Sequence, residues 1–365
     1  MVGWLIALLG KGRTMKAKVI GAVVAVLVAG GMAQADITIE TVTVGNAGNA
    51  GEWSGYSYGG AGPNRFCGAV DYTYNIGKYE VTAGQYMAFL NAVAATDTYG
   101  LYSESMHGGD YDCQITRDGV SGSYSYTVNS AFTNRPVNHV SWYDTIRFAN
   151  WMTNGQGTGD TETGSYTITG GGVNAGTVTI PTAAQRKTWS TGAKSYFLLT
   201  SEDEWYKAAY YDPAKTGGAG YWDYPTSSNT APGQDMTEVT NSGNNANYHT
   251  SPYTYPIDSG KYTTLVGEFE KSDSPYGTFD QGGNVFEWNE TIVYQDSTLS
   301  YRGWRGGSFN SGGGELHASY RAEIYPTYEG GSFGFRVSVV PEPASMAVLA
   351  LGSIGMLLRR RKLGR

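Results

Sequence analysis

Three stretches of the chain repeat apolar residues with helical period, and each opens on a capping residue. Behind Thr82, the residues Tyr86, Phe89, Leu90 and Val93 recur at the spacing of one helix face. Thr82 with Gln85 three positions on is a capping box, which predicts the helix start. A second helix is predicted from Ser141-Trp142-Tyr143-Asp144. Asp144 falls in its first turn, where the helix dipole favours an anion, and Trp142, Ile146, Ala149 and Trp151 form its inner face. A third is predicted from Thr200-Ser201-Glu202-Asp203-Glu204, with Trp205, Ala208 and Ala209 turned inward. A strand is predicted from Ile37 to Val44, and a hairpin from Ser165–Thr169 and Thr177–Ile180 across a Gly-rich turn. The stretches 98–135, 152–196 and 211–275 show no helical period. Loops of that length in a compact domain carry function or belong to a loop-dominated fold. No internal repeat is present.

The ends follow other patterns. Lys16 and Lys18, the apolar run Val19–Val28, and Ala33-Gln34-Ala35 are the three regions of a secretory signal peptide, with Met15 as the predicted start. The run is short for a membrane span. At the other end, Val340-Pro341-Glu342-Pro343 precedes an apolar run, Ala344–Leu358, closed by Arg359-Arg360-Arg361-Lys362. An apolar helix with a basic stop behaves as a stop-transfer segment. The predicted organisation is a leader over 1–35, an N-terminal strand and loop over 36–69, a main domain over 70–340, and a sorting or anchor segment over 341–365.

Composition sharpens this picture. The 365 residues include 52 Gly and 29 Tyr, and 16% are charged, which excludes a disordered polar chain. The formal charge of −7 hides an asymmetry: the body from 36 to 340 holds 16 basic and 31 acidic residues, a net of −15. That excludes a nucleic-acid binder, whose affinity comes from basic side chains on phosphates, and suits divalent cations. Two cysteines, Cys67 and Cys113, exclude a disulfide scaffold and a four-cysteine zinc site. In an oxidising compartment they pair or stay free, and spacing does not decide between the two.

Six segments follow one another in a familiar order. They are Lys78-Tyr79-Glu80-Val81-Thr82 with Gln85, Tyr86 and Phe89; Arg135-Pro136-Val137-Asn138-His139-Val140-Ser141-Trp142-Tyr143-Asp144; and Leu198-Leu199-Thr200-Ser201-Glu202-Asp203-Glu204-Trp205. The others are Gly282-Gly283-Asn284-Val285-Phe286-Glu287-Trp288, Arg305-Gly306-Gly307-Ser308-Phe309, and Gly334-Phe335-Arg336-Val337. Over about residues 70–339 the chain resembles the formylglycine-generating, or sulfatase-modifying factor, family. The resemblance implies an α+β, C-type-lectin-like fold, loop-rich with few short helices and small sheets. The C-terminus resembles the PEP-CTERM sorting signal of Gram-negative bacteria. That implies recognition by an exosortase, cleavage near Pro341–Pro343, and export to the envelope, surface or extracellular matrix. Membrane contact is then confined to the C-terminal segment before processing.

The family's enzymes oxidise a substrate cysteine with copper held by two cysteines just after the Arg-Gly-Gly-Ser segment. Here residues 310–321 contain no cysteine, and hydroxyl or carboxylate groups do not replace thiolate as a soft ligand. No copper and no catalytic residue are therefore expected, and the domain reads as a non-catalytic binding or structural module. The alternative is a metal-dependent oxidoreductase of the same superfamily with different chemistry. The histidines, His107, His139, His249 and His317, show no ligand spacing. A turn of small residues between Asp280 and Glu287 suits calcium, which takes hard oxygens from carboxylates and carbonyls. Carried over from the family, the ligands are the Asp280 side chain, the Gly283 and Val285 carbonyls and the Glu287 side chain. A second calcium site is implied at Ala246-Asn247-Tyr248, with Asp258 as its acidic partner. Arg305, Arg321 and Arg336 are expected to pair with carboxylates and pin loops. Tyr301, Trp304, Phe309, Tyr320, Tyr325 and Tyr328 surround the family's active-site region, where exposed rings suit a glycan or peptide ligand and core packing explains them equally well.

Overall fold

The predicted helices form where their caps stand. The computed structural model describes residues 36–340 apart from 61, 193, 238–242, 251–256, 259 and 296–299; the leader and the sorting tail lie outside the described residues. The helices are α1 (Ala83–Val93), α2 (Trp142–Thr153), α3 (Ala183–Trp189) and α4 (Glu202–Tyr210). Each begins with a closed capping box, from Thr82 and Gln85, Ser141 and Asp144, Thr182 and Gln185, and Ser201 and Glu204. Each box satisfies two backbone donors that a helix start otherwise leaves orphaned. α3 falls in the stretch 152–196, which has no helical period. Its box has the same signature, but the helix is seven residues long and its buried residue is Arg186, so no apolar face announces it. α2 departs from the one-faced expectation: all its residues except Tyr143 are buried.

Two four-stranded sheets frame the body. Their strands are β1 (Thr41–Val44), β2 (Tyr74–Gly77), β3 (Tyr196–Leu199), β4 (Phe286–Gln295), β5 (Ser300–Arg305), β6 (Ala322–Ile324), β7 (Phe333–Gly334) and β8 (Val337–Val340). One sheet has the order β1-β2-β8-β3 and is antiparallel throughout. The predicted strand from Ile37 shortens to β1 because pairing with β2 begins at Thr41 opposite Gly77. β8 is buried at every position, which suits its Val-Ser-Val-Val sequence and its central place. The other sheet has the order β6-β5-β4-β7, with β4 and β7 parallel. Among the described residues there are also four two-stranded antiparallel pairs. One, Thr167–Gly172 with Ala175–Thr179, is the hairpin predicted at that place.

The largest core cluster joins α1, α2 and the Gly334-Phe335-Arg336 segment through rings. Phe148 stands 5.4 Å from Phe89, 6.2 Å from Tyr86, 5.6 Å from Trp151 and 5.3 Å from Phe335. Such pairs contribute about 0.5–1.5 kcal/mol each beyond area burial. Seating Phe335 in this cluster fixes the backbone from which Arg336 reaches the opposite way, toward the charged interior. Among the described residues no helix is long and apolar enough to cross a membrane.

Candidate functional site

The closing-motif arginines are all buried, and two of them meet one carboxylate. Glu202 opens α4, and Arg305 Nε and Arg321 Nε each donate to its Oε1 at 2.8 Å. Arg321 Nη2 reaches Oε2 at 2.8 Å, and Arg65 Nη1 reaches the same oxygen at 3.0 Å. Burial alone would raise the Glu202 carboxyl, but these guanidiniums outweigh it and hold it well below the usual carboxylate range. Arg336 makes a bidentate pair with Glu287, Nε to Oε2 and Nη2 to Oε1, both at 2.6 Å. Trp205 Nε1 adds a third donor to Oε2 at 2.7 Å. Arg336 also donates to the carbonyls of Gly77 at 3.0 Å and Phe279 at 2.8 Å, so it ties β2 to the turn before β4. The expectation that these arginines pin loops describes what they do.

That pairing changes the first calcium reading. Glu287 has both oxygens in an arginine fork and a third donor in Trp205, so a cation there would share the carboxylate with Arg336. Asp280 stands apart, with its backbone in the left-handed region at φ 62° and its Oδ2 accepting from Gly267 N at 2.6 Å. Gly283 bridges to Asn247, and its N–H donates to Gly306 O at 2.8 Å. At Gly283 φ is +89° and an added Cβ would lie 2.2 Å from Asn247 O, so no other residue fits this approach. The Val285 side chain is buried.

The second candidate also rearranges. Asn247 Nδ2 donates to Tyr262 O at 2.8 Å and to Asn284 Oδ1 at 3.1 Å, while its buried Oδ1 has no hydrogen-bond donor. The Tyr248 carbonyl accepts from Gln234 Nε2. Asp258 is paired with Arg135 and not with Asn247. Among the described residues, no three His, Cys, Asp or Glu side chains come together as metal ligands. Sequence reasoning missed Glu80. It is 2% exposed, both carboxylate oxygens lack a hydrogen-bond donor, and burial, followed by the like charge of Asp280, pushes its carboxyl well above the usual carboxylate range.

The segment that follows Arg305-Gly306-Gly307-Ser308, where the resemblance places the family's thiols, has no cysteine. Ser311 Oγ accepts from Ser308 N at 3.0 Å, lies 3.3 Å from Ser308 Oγ, and donates to Glu315 Oε2 at 2.8 Å. Both serines are fully buried. The two cysteines are free and buried elsewhere. Cys67 lies 3.3 Å from Arg305 Nη2, and burial pushes its thiol up to about 11. Cys113 lies against the carbonyls of Met106 and Asn138, and burial pushes it up to about 12. Both are thiols at neutral pH, the unreactive form.

Beside Phe309 opens a cavity of about 300 Å³, lined by Tyr111, Tyr262, Phe309, Asn310, Gly331 and Ser332. The Tyr262 ring lies 5.4 Å from Phe309 and 5.9 Å from Tyr111. Asn138 Nδ2 fixes the backbone behind it, donating to Tyr111 O at 2.6 Å and Gly331 O at 2.5 Å. His139, in the left-handed region at φ 57°, places Nε2 2.8 Å from Asp112 Oδ1 and so pins the loop that carries Tyr111. Of the six aromatics singled out from the sequence, only Phe309 lines this cavity. Tyr111 and Tyr262 lie in the period-free stretches, where no local signal separates a cavity ring from a loop ring.

The family model for the sulfatase-modifying factor enzyme 1-like domain matches residues 25–340, and that for the PEP-CTERM protein-sorting motif matches residues 339–362. No curated protein matches the sequence. Similar solved structures include Treponema denticola variable protein 1, at 20% identity and a TM-score of 0.48 over 83% of this chain and 95% of that one. CarF gives 19% and 0.48 over 82% and 98%, and PvdO from Pseudomonas aeruginosa gives 16% and 0.47 over 82% and 94%.

Proposed function

From a chain that belongs to the sulfatase-modifying factor enzyme 1-like family, and whose C-terminal PEP-CTERM motif marks it for exosortase-dependent export and envelope sorting, we propose a non-catalytic binding or structural module of the bacterial envelope or extracellular matrix. The fold is the family's loop-rich, C-type-lectin-like α+β fold. One observation carries the proposal. Where the family's enzymes hold copper with two thiols, just after the Arg-Gly-Gly-Ser segment, this chain has no cysteine over residues 310–321, and the polar side chain packed against that segment is the buried hydroxyl of Ser311. A hydroxyl is a hard, neutral oxygen and a poor ligand for Cu(I). Beside that segment lies the aromatic cavity of Tyr111, Tyr262 and Phe309. Its rings offer apolar faces with hydroxyl and amide groups beside them, a surface suited to a glycan or an apolar peptide segment.

The test is to incubate the mature protein with copper, oxygen and a cysteine-containing peptide of the kind the family oxidises. No formylglycine above the metal-free control is expected. Product formation would replace this reading with that of a metal-dependent oxidoreductase. A panel of glycans and peptides, screened against the mature protein and Phe309→Ala, then identifies the ligand class. Binding lost in the variant places the ligand in the cavity.

A further inference from the structure

We propose that, in the tail-bearing precursor, the corner between α3 and β3 rests on the bilayer surface, with Trp189, Lys194 and Tyr196 in the lipid headgroup layer. This rests on the tail entering a membrane before processing, as its sorting motif implies. β8 ends at this corner. Val340, its last residue, is fully buried and pairs with Tyr196, the first residue of β3. Three residues, Pro341-Glu342-Pro343, separate it from the apolar run Ala344–Leu358. From Val340 to Ala344 the chain reaches at most about 14 Å. In lipid the run must be helical, and its length then rises about 22 Å against a hydrocarbon core of about 30 Å. A run that short draws its flanks toward the bilayer. The Val340 end of the sheet is therefore held at the membrane surface.

The side chains at that end suit the place. Trp189 closes α3, and its ring stacks on Tyr196 at 4.0 Å with the planes 10° apart. Lys194 Nζ lies 5.0 Å from the centre of the Tyr196 ring. The two rings are half-buried and Lys194 is exposed. Trp and Tyr collect at membrane interfaces because each joins an apolar ring to a polar edge. A lysine beside them is attracted to anionic lipid. The charge pattern selects the same face. The body carries a net of −15, yet residues 163–201 hold Arg186, Lys187 and Lys194 and no acidic residue. Arg186 turns inward to Glu204 and Glu290, and Lys187 pairs with Asp71 at 2.8 Å. Lys194 is the corner's outward cation. A body of that net charge is repelled by anionic lipid, so contact is confined to a face where acids are scarce.

The experiment uses the full chain after leader removal, reconstituted into vesicles of phosphatidylethanolamine and phosphatidylglycerol. Flotation shows whether the tail holds the protein on the vesicle. An environment-sensitive thiol dye is attached through Thr191→Cys, an exposed position between α3 and β3. In a second sample it is attached through Glu40→Cys, exposed at the opposite end of the same sheet, where β1 begins across from Gly77. The native cysteines are buried and stay unlabelled in the folded protein. On reconstitution, dye emission is expected to shift to the blue at position 191 and to stay water-like at position 40. Lys194→Glu should reduce the shift at position 191 and leave flotation unchanged. Protein that does not float would overturn the membrane-inserted tail and the corner contact together. Floated protein with water-like emission at position 191 would overturn the corner contact alone. Equal shifts at both positions would overturn the orientation.

Discussion

Glu202 and Glu80 are both carboxylates removed from water, and the fold treats them in opposite ways. Glu202 receives three guanidiniums; Glu80 receives no hydrogen-bond donor and faces a second carboxylate. Glu290 lies between these extremes. Arg186 is shared by Glu290 and Glu204, one cation for two anions, and Tyr166 also donates to Glu290. Burial pushes Glu290 up to about 7 despite Arg186. Burial is common to all three, so the local count of opposite charges decides which carboxylate is held as an anion and which are pushed toward the protonated form.

The largest test of this ordering is Glu202→Gln. It leaves Arg305 and Arg321 buried without their anion, and a loss of about 3–5 kcal/mol is expected in denaturant unfolding. A loss under about 1 kcal/mol would show that the cluster is solvated, since exposed pairs contribute no more than that. Next comes pH. The folded state keeps a proton on Glu290 that the unfolded chain releases above pH 4.5. Stability should therefore fall as pH rises from about 4.5 to about 7, by up to about 1.4 kcal/mol per unit. Glu290→Gln should flatten that window, and an unchanged slope would assign the proton to another group. A smaller effect of opposite sign is expected from Glu80→Met, a gain of about 1–3 kcal/mol in denaturant unfolding, because it replaces two buried oxygens that have no donor by an apolar side chain of similar shape. The smallest concerns Cys67, which touches the Glu202 cluster. A reductant should leave Tm unchanged, and a thiol reagent should label both cysteines only on unfolding. Rapid labelling of the native protein would mean that the cluster opens.

The helix starts were legible because a capping box closes over three residues. Thr82 with Gln85, Ser141 with Asp144 and Ser201 with Glu204 need no tertiary contact to be read. Thr182 with Gln185 carries the same signature, but no apolar face follows it to mark a helix. The aromatic cavity was legible only at Phe309, because Tyr111 and Tyr262 come from loops whose composition looks alike throughout. Asp280 and Glu287, seven residues apart, looked like one ligand pair. Glu287 instead turned to Arg336, 49 residues away.

The sequence by itself determined the family, through the order of its motifs, and with it the loop-rich α+β fold and the sorting signal at the C-terminus. It also determined where the helices begin and that the loop after Arg305 has no thiol. Only the tertiary structure decided how the charges are shared. Arg305 meets Glu202 across 103 residues of sequence and Arg336 meets Glu287 across 49, leaving the buried Glu80 oxygens without a donor. The physical reason is range. Capping and turn chemistry act over a few backbone bonds and are written locally, whereas the state of a buried charge depends on every other charge the fold brings within reach of it.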